Sequence, residues 1–153
     1  MLLSTRRSIL VVLALLAAAC ATVKFVSDYD ETTDREVTAL QRMVDDSLAA
    51  LAKQSAPACL HAAHAGFYAA AHSALHSLII RNRARGADNH LTSDQLTLMD
   101  STSIPALEEL HELASSHTPP RCMNADALAL DQQALDQSFE AILKLELAKK
   151  RGQ

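Results

Sequence analysis

The sequence predicts an all-α protein, an antiparallel up-and-down four-helix bundle spanning residues 28–153. Three observations carry that expectation. Apolar residues recur at spacings of three and four in four separate segments. The connections between those segments are short and hold the helix breakers. The chain has no tryptophan and only three glycines, and 3% of it is aromatic against 49% hydrophobic, a balance that favours helices over sheet.

The first helix is expected from Ser27 or Asp28, where Asp28, Asp30, Glu31 and Asp34 suit the positive end of a helix dipole, to about Gln54. Its inward stripe is Val37, Leu40, Val44, Leu48 and Leu51. Ser55-Ala56-Pro57 interrupts it, and Pro57 fits the opening turn of a second helix. That helix carries Leu60, Ala63, Phe67, Ala71, Ala74 and Leu78, then closes on Arg81, Arg83 and Arg85 with Gly86 as a stop. Thr92 or Ser93 is the expected cap of a third helix, with the stripe Leu96, Met99, Ser103, Leu107, Leu110 and Ala114. Pro105 falls opposite that stripe, which predicts a kink on the solvent side of one helix. After a loop through Pro119 and Pro120, Asn124 caps the last helix, whose stripe is Leu128, Leu135, Phe139, Ile142 and Leu143. It ends in Lys149-Lys150-Arg151-Gly152.

The segment before the bundle has a different logic. Arg6 and Arg7 precede a nearly unbroken apolar run from Ser8 to Ala19, the layout of an export signal. The run is shorter than the about 20 residues a spanning helix needs. Leu16-Ala17-Ala18-Ala19-Cys20 resembles the lipobox read by lipoprotein signal peptidase, with Ala17 standing where that motif usually has leucine. The resemblance implies a cleaved signal peptide over residues 1–19, Cys20 as the lipid-modified first residue, and residues 20–27 as a tether. The seven residues beyond Cys20 reach at most about 23 Å. Thr5 to Leu10 also resembles a loose twin-arginine signal, but two arginines are common at the start of an export signal and the general secretory route is the expected one. Ala21, in place of aspartate, resembles the sorting rule that sends lipoproteins to the outer membrane, periplasmic face. Losing Arg6 and Arg7 would move the formal net charge from −4 to −6, which argues against a nucleic-acid partner.

An exported chain meets an oxidising compartment, so Cys59 and Cys122 are expected as a disulfide, the alternative being two buried thiols. In an up-and-down bundle both lie at the starts of parallel helices, at the same end. The same topology gathers Arg81, Arg83, Arg85, Lys149, Lys150 and Arg151 at the tether end, where they could face a membrane. The plainer reading is that they complement helix dipoles and pair with Asp28 to Asp34.

Four of the seven histidines lie in the second helix. At about 100° per residue, His61, His72 and His76 share a strip, with His64 at its edge. His72 and His76, or His61 and His64, could hold zinc or copper with a third ligand such as Glu108, His111 or Glu112 from the next helix. The plainer reading is a half-exposed polar strip beside the core. Glu108-x-x-His111 resembles the ferritin-like di-metal spacing, in a single copy where that chemistry needs two. With no glycine-rich phosphate loop, no Gly-x-Ser-x-Gly and no Cys-x-x-Cys, no enzymatic activity is expected.

Two further stretches, Val26-Ser27-Asp28-Tyr29-Asp30 through Asp34 to Gln41, and Phe139 through Leu145-Glu146-Leu147-Ala148-Lys149-Lys150-Arg151, resemble a group of small, uncharacterised bacterial lipoproteins. The resemblance implies a lipid-anchored helical domain and brings no activity with it. The expected partners are the bilayer, through N-terminal acyl groups, and an envelope protein. In the expected bundle the two stretches meet, either as a salt-bridged clasp or as a small site for a headgroup or partner.

Overall fold

The computed structural model describes residues 27–152, all helix and connecting turns, with no strand among them. The signal peptide, the Cys20 lipidation and tether residues 20–26 lie outside the described residues. The elements are α1 (Glu31–Leu51), α2 (His61–Ala84), a 3-10 turn at Ala87–Asn89, α3 (His90–Leu98), a π-helical segment Met99–Ser103, α4 (Ile104–Ser115) and α5 (Ala125–Arg151). They form a helical bundle in which α1 packs on α2 and α5, α2 on α3 and α4, and α3 on α5.

The expected stripe of α1 is buried as a whole, from Val37 to Leu51. The helix begins later than the acids suggest because Asp30 is the cap: its carboxylate accepts from the Thr33 backbone N–H at 3.3 Å and the Thr33 hydroxyl at 2.7 Å. Its last helical residue is Leu51, short of Gln54.

α2 departs further. It starts at His61, leaving Pro57 and Cys59 in the preceding turns. No local side chain caps it, and the His61 backbone N–H instead donates to Ser115 Oγ at 2.8 Å across the bundle. Its buried face is Tyr68, Ala71, Leu75, Leu78, Ile79 and Asn82, whereas Ala63 is exposed and Phe67 and Ala74 are only partly buried. An alanine-rich helix has a faint stripe, and Tyr68 turns inward because a buried partner meets its hydroxyl. Gly86, at φ 109°, ends this stretch as expected, in the backbone region that glycine occupies without strain.

The third apolar segment is the largest correction. Thr92 and Ser93 are buried inside α3 and cap nothing; the Thr92 hydroxyl donates to Glu146 Oε1 of α5 at 3.0 Å. Where a solvent-side kink at Pro105 is expected, the backbone widens into the π segment just before it. A π turn takes in one extra residue and so rotates everything after it. The buried face therefore moves from Ser103 and Leu110 to Ile104 and His111, with Leu107 buried as expected, and Leu110 is 43% exposed.

In α5 the Asn124 side chain caps as expected, accepting from the Asp126 N–H at 2.8 Å. Leu128, Leu135, Phe139 and Ile142 are buried, and Glu146 and Lys149 continue the same stripe into the interior.

Candidate functional site

One end of the bundle is organised around Cys59 and Cys122, which lie at disulfide distance, Sγ to Sγ 1.98 Å and Cα to Cα 5.4 Å. His111, brought inward by the π segment, is fully buried beside them. Its Nε2 lies 2.8 Å from the Cys59 carbonyl, which can only accept, so Nε2 carries the proton. Its Nδ1 then accepts from the Tyr68 hydroxyl at 2.8 Å. Both neutral forms are held by burial, which pushes the His111 pKa down and the Tyr68 pKa up. His111 thus ties α4 to α2 and to the cysteine pair at once.

The histidine strip runs along the groove between α2 and the third apolar segment, and it is interleaved with acids. His61 Nε2 is 3.1 Å from Glu108 Oε1, His72 Nε2 is 3.9 Å from Glu108 Oε2, and His72 Nδ1 is 2.7 Å from Asp100 Oδ1 in the π segment. His64 folds away, its Nε2 2.9 Å from both Gln54 Oε1 and the Ala58 carbonyl. His76 is exposed. His61 and His72 are eleven residues apart, about 16 Å of helix rise, so their rings cannot converge on one ion and share only the carboxylate between them. Among the described residues no three His, Cys, Asp or Glu side chains come together as a metal site.

The opposite end is a polar clasp built on the first described residues. Asp30 receives Arg81 Nε at 2.8 Å and Nη2 at 3.1 Å, and Arg85 Nη1 lies 3.1 Å away. The Arg81 guanidinium, helped by Thr33, holds the Asp30 carboxyl well below the usual carboxylate range against the opposing effect of burial, and the same bond pushes the Arg81 pKa up. Arg85 Nη2 also donates to the Asp28 carbonyl at 2.7 Å. Ser27 Oγ donates to Asn89 Oδ1. The Tyr29 hydroxyl donates to Asp34 at 2.7 Å, which pushes its pKa up to about 12, and Lys150 Nζ sits 5.1 Å from the centre of its ring.

Beneath this strap Lys149 and Glu146 are both buried, 2.5 Å apart. Lys149 Nζ also donates to Asn89 Oδ1 at 2.9 Å and Thr92 Oγ1 at 3.0 Å, which uses all three of its hydrogens. Lys149 is therefore not available to a membrane surface, and Arg81 and Arg85 are committed to Asp30. The remaining basic residues of the six have other surroundings: Arg83 reaches Thr97 Oγ1 at 3.3 Å, Lys150 covers Tyr29, and Arg151 is exposed.

Of the acids offered as partners for the histidines, Glu108 does reach His61 and His72, whereas Asp100 and the buried ion pair were missed. Glu146 and Lys149 had a visible signal, since they continue the spacing of Leu135, Phe139 and Ile142. Asp100 and the inward turn of His111 depend on the π segment.

No protein-family model matches the chain, and neither a curated protein nor a solved structure does.

Proposed function

We propose that this chain is an envelope lipoprotein anchored through Cys20, whose described part is an antiparallel up-and-down four-helix bundle acting as a non-enzymatic interaction or structural module at the periplasmic face of the outer membrane. The observation that supports this reading most is the clasp. Ser27, Asp28, Tyr29 and Asp30 are held by side chains from the end of α2, the following turn and the end of α5, so the chain preceding them joins the domain at a fixed point. A module on so short a tether would be presented in one orientation, close to the membrane. The test is the intact mass of the protein extracted from membranes. Acylation at Cys20 supports the reading; a free amino terminus at that residue refutes it.

A second reading, a zinc- or copper-binding protein using the histidine face, draws on one feature. Asp100 fastens Nδ1 of His72 and leaves Nε2 directed toward Glu108, the arrangement in which a carboxylate orients a metal-binding imidazole. His76, one turn away, would be the second imidazole. Stoichiometric, sub-micromolar binding lost in His72→Ala would favour this reading, and binding only at millimolar metal would sink it.

A further inference from the structure

We propose that a pocket on the outer face of α1 binds a phosphoamine zwitterion, a ligand carrying a phosphate and an ammonium on neighbouring carbons, as phosphoethanolamine does. The pocket has a volume of about 360 Å³ and its polar lining is Tyr29, Glu31, Asp34, Arg35, Thr38 and Arg42. Ala39, between the arginines in the sequence, adds only a methyl group to the lining.

Arg35 and Arg42, seven residues apart, share one helix face. Among the described residues neither guanidinium has a hydrogen-bond or ion-pair partner. Glu31 precedes Arg35 by four residues, the spacing at which opposite charges pair on a helix surface, yet these two do not meet. The lining therefore carries both signs: Glu31 and Asp34, whose carboxylate already takes the Tyr29 hydroxyl, lie in the first turns of α1, Arg35 follows Asp34 directly, and Arg42 stands two turns further on. A bare phosphate would gain the arginines but face Glu31 and Asp34, and a bare amine would meet the reverse. A ligand with both charges can meet groups of both signs, and arginine's planar fork suits phosphate oxygens. The contrast with Arg81 and Arg85 is direct, because both of those already pair with Asp30.

Such a ligand could be a free phosphoamine or a lipid headgroup. Only the second source rests on the anchored reading above. The full chain in non-ionic detergent is titrated calorimetrically with O-phosphoethanolamine, inorganic phosphate and ethanolamine, and its co-sedimentation is measured with phosphatidylcholine vesicles with and without phosphatidylethanolamine. O-phosphoethanolamine is expected to saturate at one site, at least tenfold tighter than phosphate or ethanolamine. Arg35→Gln and Arg42→Gln are each expected to weaken it tenfold or more, with unchanged thermal melting, while Arg83→Gln leaves it intact. Co-sedimentation that needs phosphatidylethanolamine and Arg35 identifies the headgroup as a source; binding of the free compound alone identifies a soluble one. Equal affinity for inorganic phosphate, equal loss in Arg83→Gln, or no saturable binding of any probe would overturn the proposal. Absence of acylation at Cys20 would leave the calorimetric arm standing.

Discussion

Replacing Lys149 with methionine isolates the energetics of the buried pair at the clasp. Methionine fills a similar volume without the charge, so the change leaves packing nearly intact and removes the cation from an interior where Glu146 is fully buried. Glu146 Oε2 has no hydrogen-bond partner among the described residues, and Oε1 would keep only the Thr92 hydroxyl. An uncompensated buried charge of this kind costs about 3–5 kcal/mol. For a domain of this size that corresponds to a fall in Tm of roughly 10–20 °C, using an unfolding entropy of about 2 cal/mol/K per residue. The double variant Lys149→Met, Glu146→Leu removes both charges and is expected to recover most of the loss, returning within about 2 kcal/mol of the parent. Thermal and urea melts followed by circular dichroism at pH 7 measure all four corners of the cycle. A single variant costing less than about 1 kcal/mol, or a double variant no more stable than the single, would refute the account of Lys149 as the counter-charge of Glu146.

Three other outcomes are expected. Reducing the Cys59–Cys122 bond, or changing both residues to serine, opens a link across a sequence separation of 63 and is expected to lower stability by about 4 kcal/mol in urea melts. Asp30 titrates lower in the folded state than its unfolded value of about 3.9, so the unfolded chain takes up the proton first; its contribution is complete above about pH 5 and is lost as pH falls below that. Asp30→Asn should flatten that acid limb of a stability–pH curve. His111 also titrates below its unfolded value of about 6.5, so its contribution is complete above that pH and declines as the pH falls through it. His111→Phe should abolish this slope and cost about 2–4 kcal/mol at pH 7, by leaving the Tyr68 hydroxyl and the Cys59 carbonyl unpaired.

The stripes of α1 and α5 were legible because large apolar residues mark one side of each at helical spacings, Val37, Leu40, Val44, Leu48 and Leu51 in one case and Leu128, Leu135, Phe139 and Ile142 in the other. The cysteine pairing was legible too, since helix order alone brings Cys59 and Cys122 to one end. α2 was read one face away along its first half, because alanines mark no side clearly and the inward turn of Tyr68 depends on His111 forty-three residues later. The expected clasp exists with part of its expected partners: Asp30 pairs with Arg81 and Arg85 at the end of α2, while Lys149 turns inward to Glu146 and Lys150 covers the Tyr29 ring.

Composition and local periodicity determined what depends on neighbours within a turn or two: that the described chain is helical, where α5 begins, and which side of α1 faces inward. Tertiary structure decided what depends on a single residue of phase. One added residue in the π segment places Ile104 and His111 inside and Leu110 outside, and brings Asp100 to His72. It likewise decided which charges are spent and which stay free, because burying Lys149 beside Glu146 and binding Arg81 to Asp30 require helices that meet only after the chain has closed. Spacing in a sequence fixes the direction of a side chain about its own helix axis; the partner waiting in that direction belongs to another helix.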